Sequence, residues 1–128
     1  MSKKILATEK APAALGPYSQ GVAASGEMIF VSGQIPINPA TGNVAEGDIA
    51  AQTRQCMDNI AAILAEAGAS VEDDIVKTTI YLKDMNDFAV VNEAYGSYFE
   101  KDAPARGCVE VARLPKDMQV EIEAIAVR

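Results

Sequence analysis

Val120-Glu121-Ile122-Glu123-Ala124-Ile125 alternates apolar and acidic or small residues one by one, and a second run, Ala105-Arg106-Gly107-Cys108-Val109-Glu110-Val111, precedes it by a stretch short enough for a turn. Successive side chains of a strand point to opposite faces, so two such runs commit this end of the chain to a sheet buried on one side. The connection Arg113-Leu114-Pro115-Lys116-Asp117 reads as a link between antiparallel neighbours, which predicts a closing hairpin. On that reading Arg106, Cys108 and Glu110 share a face. Val120, Ile122, Ala124 and Ala126 form an apolar face, and Glu121, Glu123 and Ile125 point the other way. The hairpin would then carry one greasy face and one face with an arginine, a thiol and carboxylates. A guanidinium fork suits a planar carboxylate, and a carboxylate beside it can position or activate a water. The plainer alternative is a solvated face with ordinary ion pairs.

The rest of the chain supplies the other elements. Lys3 to Ala7 reads as a short strand, and Ala11 to Tyr18 as irregular because Pro12 and Pro17 interrupt regular structure. Gly26-Glu27 predicts a second hairpin between Gly21–Ala24 and Met28–Ser32, the latter run apolar enough for burial on both faces. Prolines and the Thr41-Gly42 turn make Ile35 to Gly42 a loop. A helix then opens at Asp48 and closes before Gly68, with Ile49, Thr53, Cys56, Ile60, Ile63, Leu64 and Ala67 on its apolar stripe. Ile75 to Leu82 alternates as a central strand. A second helix, capped by Asp84 or Asn86, turns Phe88, Val91, Asn92, Tyr95 and Phe99 inward. Strands, helix, strand, helix and closing strands predict a single α+β domain over residues 1–128, one sheet with both helices on one face. The opposite face would hold Lys77, Tyr81, Arg106, Cys108, Glu121 and Ile125, a mixture that burial against other copies of the chain would resolve.

Composition narrows the chemistry. There is no histidine, which removes Ser-His and Cys-His nucleophile pairs, histidine metal sites and histidine acid–base catalysis. Two cysteines, Cys56 and Cys108, build neither a disulfide framework nor a cysteine-rich zinc site. No glycine-rich phosphate loop is present. Carboxylate, arginine, hydroxyl and backbone groups remain, so the expected substrate is one already reactive toward water, handled without cofactor or metal. The formal charge of −7 disfavours phosphate backbones, and nucleic acid is not the expected partner. No apolar run reaches membrane-spanning length, and Met-Ser-Lys-Lys leads into no signal-peptide core, so the expected compartment is the cytoplasm.

Gly16-Pro17-Tyr18-Ser19-Gln20-Gly21, Ser32-Gly33-Gln34-Ile35-Pro36, Asp74 to Thr79 with Leu82 to Phe88, and Pro104-Ala105-Arg106 followed by Cys108 to Asp117 and Val120 to Val127 resemble, in order, the segments of the Rid family of reactive imine deaminases. The resemblance covers nearly the whole chain. It implies a chorismate-mutase-like α+β subunit, a mixed sheet, and a homotrimer with sites in the clefts between subunits. By the same resemblance Arg106 binds the substrate carboxylate, Glu121 attends the hydrolytic water, and Tyr18 reaches the pocket. Ser32 and Gly33 lie at the pocket, and Cys108 meets the substrate nitrogen through its main chain. The implied reaction is hydrolysis of short 2-imino acids, such as 2-iminopropanoate and 2-iminobutanoate, to 2-keto acids and ammonia. The alternatives are a ribonuclease or translation inhibitor, as reported for some relatives, and a noncatalytic 2-keto-acid-binding or chaperone-like trimer. Two departures bear on the cleft rim: Gly107 stands where the family usually has serine, and the segment 100–103 is short and lacks an aromatic residue.

Overall fold

The structure, a computed structural model, describes residues 2–128; Met1, part of the amino-terminal segment read above, lies outside them. A four-stranded sheet forms the centre. Its strands are β3 (Met28–Gln34), β6 (Ile75–Leu82), β7 (Ala105–Glu110) and β8 (Val120–Val127), in the order β3-β8-β6-β7. β8 runs antiparallel to both neighbours, whereas β6 and β7 are parallel, so the sheet is mixed. Two small antiparallel ladders flank it, β1 (Ser2–Leu6) with β2 (Gly21–Ser25), and β4 (Ile37–Asn38) with β5 (Asn43–Val44). The helices are α1 (Ile49–Ala65), the single turn α2 (Val71–Asp74) and α3 (Phe88–Gly96). No helix among the described residues is long and apolar enough to cross a membrane.

Neither expected hairpin forms. β2 pairs with β1, and β3 pairs with β8 from Met28↔Val127 inward. β6 separates β7 from β8, because the β6–α3–β7 crossover makes those two strands parallel neighbours. The connection after β7 bridges the end of β6 instead, with the Val111 amide donating to the Leu82 carbonyl at 2.9 Å and the Lys83 amide to the Gln119 carbonyl at 3.1 Å. The run Met28–Ser32 is not buried on both faces either. It is an edge strand with Val31 buried, while Met28 and Phe30 are 57% and 69% exposed.

α1 forms as its sequence dictates, whereas α3 starts after Asp87, which makes no side-chain cap bond, and Asp84 instead accepts from the Asn86 amide at 2.9 Å in the turn before it. Asp48 caps α1 by accepting from the Ala51 amide at 3.0 Å, and Gly68, at φ +68°, lets the chain leave after the last turn. Thr53, Cys56, Met57, Ile60 and Leu64 make the buried stripe. Ile63, placed on that stripe by periodicity, is 40% exposed because it sits at the stripe's margin. From β8 the core takes Val120, Ile122, Ala124 and Ala126; from β6 it takes Ile80 and Leu82; from α3 it takes Val91 and Tyr95. Each fully buried valine, isoleucine or leucine among these contributes roughly 1.5–3 kcal/mol of transfer free energy.

Candidate functional site

Residues paired across adjacent strands share a face, and the register is decisive for the proposed site. Arg106 pairs with Thr78, and Thr78 pairs with Ala124, so Arg106 lies on the helix-covered face. Cys108, opposite Ile80, lies there too. Glu121 pairs with Tyr81 on the other face, in the company of Lys77, Thr79, Glu123 and Ile125. The expectation that Arg106 and Cys108 share a face with Glu121 is therefore corrected. It rested on β7 and β8 being hairpin neighbours, and the insertion of β6 removes that constraint.

Arg106 sits in a pocket built by three segments. From α3, Phe88, Asn92 and Tyr95 follow one another at helical spacing on the face turned to β7. The Arg106 Nη1 donates to Asn92 Oδ1 at 2.5 Å. Its guanidinium carbon lies 5.6 Å from the Phe88 ring centre, 5.5 Å from that of Tyr95 and 5.3 Å from that of Tyr18. Such distances are in the range of cation–π attraction. Tyr95 is held from below by a buried 2.7 Å hydrogen bond with Thr78, the cross-strand partner of Arg106. The Tyr18 loop is tied to the approach to β7, where the Ser19 amide donates to the Pro104 carbonyl at 3.1 Å and Ser19 Oγ to the Ala103 carbonyl at 2.5 Å. Gly96 admits this loop, since a Cβ there would lie 3.1 Å from Pro17 Cβ. The Arg106 Nε is buried without a partner.

Among the described residues the one ion pair is Lys83–Asp117 at 3.0 Å, so Arg106 is not tied to Glu121 or Glu123 within the subunit. Burial of an arginine without a carboxylate leaves an uncompensated cation in a partly desolvated place, which favours an anionic ligand there. Cys108 is half-buried beside it. Burial pushes its thiol pKa up against the opposing pull of Arg106, which keeps the sulfur protonated and unsuited to nucleophilic work.

The second cluster lies at the other edge of the sheet. A register shift between Val31 and Gln34 makes a bulge at Ser32 and Gly33. The Glu121 carboxyl occupies the space above Gly33, and a Cβ on that residue would lie 2.8 Å from Glu121 Cδ. Burial and then the nearby Glu123 raise the Glu121 pKa. Glu121 and Arg106 are thus two strands apart and offset by three residues along β6, roughly 10 Å in each direction, with side chains on opposite faces. The structure brings Tyr18, Arg106 and Cys108 together in one place and Ser32, Gly33 and Glu121 in another.

Sequence reasoning missed Asn92 as a partner of Arg106 and read Phe88 and Tyr95 only as core. A signal was present. An amide on an otherwise apolar helix stripe needs a hydrogen-bond partner, and the nearest strand offers one arginine.

The layered sheet and helices define a small α+β domain with a guanidinium pocket at the β7 edge and a carboxylate beside the bulge at the β3 edge. Comparison with known proteins makes this specific. The family described as Endoribonuclease L-PSP matches residues 8–128. The Escherichia coli K12 protein named 2-iminobutanoate/2-iminopropanoate deaminase is 62% identical, with 98% of each chain covered. The crystal structure of the Escherichia coli YjgF gene product matches with a TM-score of 0.75 at 58% identity and 98% coverage of both chains. That of Escherichia coli TdcF with bound serine matches with a TM-score of 0.75 at 49% identity, again over 98% of both. The chain belongs to the Rid family, the family of YjgF and its relatives.

Proposed function

We propose that this protein hydrolyses short 2-imino acids to 2-keto acids and ammonia, in sites assembled between copies of the chain. The observation that carries the reading is the separation of Arg106 and Glu121 onto opposite faces: each subunit holds two incomplete halves, and one small substrate can meet both only where two copies join. The family relationship and the name of the 62% identical relative support the reaction. The exposed apolar side chains Met28, Phe30 and Val109 on the face away from the helices support association, and three copies are the number that family resemblance implies.

In this mechanism Arg106 takes the substrate carboxylate with the donors that Asn92 leaves free, and the rings of Phe88, Tyr18 and Tyr95 keep the guanidinium in place. Tyr18 also walls the pocket and offers its phenol to substrate or water. The Cys108 main chain and the Ser32-Gly33 segment lie at the substrate's edges. Glu121 of the adjoining copy accepts a proton as water adds to the iminium carbon. Its raised pKa makes it a stronger base than an ordinary surface carboxylate. The proton then passes to the amino group of the tetrahedral adduct, the C–N bond breaks as the hydroxyl oxygen forms the C=O bond and returns its proton to Glu121, and the nitrogen departs with its electron pair as ammonia, leaving the 2-keto acid. No cofactor enters the balance.

The test combines turnover with complementation. Added to a threonine or serine dehydratase reaction, the protein should speed release of the 2-keto acid and ammonia. Arg106→Ala and Glu121→Gln should each be inactive alone. Dissociated and reassociated together in equal amounts, they should recover about one quarter of wild-type activity, because random pairing makes about one interface in four intact in a ring of any size. Folded wild-type protein that leaves the dehydratase reaction unchanged refutes the reaction. Activity in the wild type with no recovery on mixing refutes the shared site. The family's ribonuclease name is tested in parallel, and RNA cleavage lost with Arg106→Ala would replace the imine reading.

A further inference from the structure

Leu15 is 91% exposed, yet it does not sit on a loose tip. Gln20 Nε2 donates to the carbonyls of Pro12 at 2.7 Å and Thr8 at 3.1 Å, and the Tyr18 amide donates to the Gly16 carbonyl at 2.8 Å. Pro12 and Pro17 restrict the backbone further. The chain thus spends several hydrogen bonds on holding a bare leucine outward, against the cost of exposing its apolar surface. Such a side chain is shaped for a partner.

An apolar cavity of about 350 Å³ lies at the β3 edge, lined by Gly33, Ile35, Ile37, Pro39, Ala62 and Ile63 together with the amides Gln34 and Asn59. Its rim is fixed. Asn59 Nδ2 donates to the Ile35 carbonyl at 3.3 Å and the Ile37 carbonyl at 3.0 Å, tying the loop to α1. No charged residue lines it, and Ile63 contributes the exposed flank that the helix stripe leaves uncovered. The lining suits an aliphatic side chain and gives a carboxylate or ammonium no counter-charge.

We propose that Leu15 of one copy inserts into this cavity of the next copy and locks the two halves of the catalytic site in register. The proposal rests on the site being shared between copies. Given that, it follows from continuity: Leu15 is three residues from Tyr18, at most about 11 Å of chain, and the cavity shares Gly33 with the Glu121 cluster. Joining the Tyr18–Arg106 half to the Gly33–Glu121 half would place Leu15 and the cavity at the same junction, within reach of one another. Leu15 thereby selects which surface of the neighbouring copy is met, a role separate from binding substrate.

Two engineered cysteines test it. The double variant Leu15→Cys with Ile63→Cys, treated with mild oxidant or a short bismaleimide, should yield linked multi-chain species. Either single variant, still carrying Cys56 and Cys108, should not. Leu15→Ala should leave the fold of the subunit intact and raise the subunit dissociation constant at least about tenfold. The proposal is overturned if the double variant gives no more linkage than the single variants while the mixture of Arg106→Ala and Glu121→Gln recovers activity, since the shared site then stands without this contact. It is also overturned if Leu15→Ala leaves association unchanged and Ile63→Trp alters only the discrimination among 2-imino acids of different chain length, which would assign the cavity to the substrate. No recovery on mixing removes the shared site itself and this inference with it.

Discussion

Gly33→Ala tests the placement of Glu121, whose carboxyl group is the nearest neighbour of the added methyl. The added methyl carbon would stand 2.8 Å from Glu121 Cδ and closer to Oε2, against ordinary carbon contacts of about 3.5–4.0 Å, so the carboxyl group must retreat by about 1 Å. A displacement of that size at a reacting group costs on the order of a hundredfold in rate. The backbone of Gly33 is not in the left-handed region, and the residue is exposed at a sheet edge. Alanine therefore suits the fold and should change stability by less than about 1 kcal/mol, the entropy it removes from the unfolded chain offsetting the local crowding. Because the carboxylate-binding half is on the other face, KM should move little and kcat should carry the loss. The assay is steady-state release of 2-keto acid from a dehydratase-generated imine, with thermal melting and light scattering on the same samples. A folded, fully associated Gly33→Ala protein with wild-type kcat would refute the assignment of Glu121 to the water.

Three further outcomes are expected. Arg106→Lys keeps the charge but loses the planar fork, and Arg106→Ala loses both; with charge-assisted bonds contributing about 1.5–3 kcal/mol, the alanine variant should fall at least about tenfold in kcat/KM with little change in Tm, measured by turnover and calorimetry. The activity profile should lose its acidic limb above the usual carboxylate range, because Glu121 is protonated more readily in the folded protein. The same shift means that Glu121 favours folding fully only below its unfolded pKa and loses that contribution as pH rises through the raised folded value, so Glu121→Gln should be the more stable protein near neutrality and lose its advantage in acid, as denaturant titration across pH would reveal. Gly107→Ser should raise stability by roughly 0.5–1 kcal/mol, since a strand glycine carries that entropic cost; a Cβ there meets nothing within 4 Å, and a large loss in denaturant titration would contradict the open space around it.

How far the sequence could be read depended on whether a feature was local. Asp48, Gly68 and the alternation of Ile75 to Leu82 set caps and a strand by short-range rules, and these elements stand where expected. The faces of β8 were also legible from its own pattern. Strand adjacency was not, because pairing β7 with β6 rather than β8 is decided by the non-local crossover through α3 over residues 83–104. That single choice moved Arg106 from the face of Glu121 to the face of Tyr95. The edge position of β3 escaped for a related reason: an apolar run such as Met28–Val31 looks the same whether its outward residues are covered by its own chain or by something else.

β8 lies inside the sheet with β3 on one side and β6 on the other, and the Glu27 and Arg128 backbones close the ladder by exchanging hydrogen bonds of 2.7 and 2.9 Å. In order of synthesis, every other strand of that sheet precedes it. Without residues 120–127, β3 has no partner in that sheet and β6 lacks one of its two neighbours. Met28 and Val127 pair across 99 residues of sequence (127 − 28), a non-local contact of the kind that slows folding. A chain lacking β8 would leave β3 unpaired and the apolar edge of β6 open.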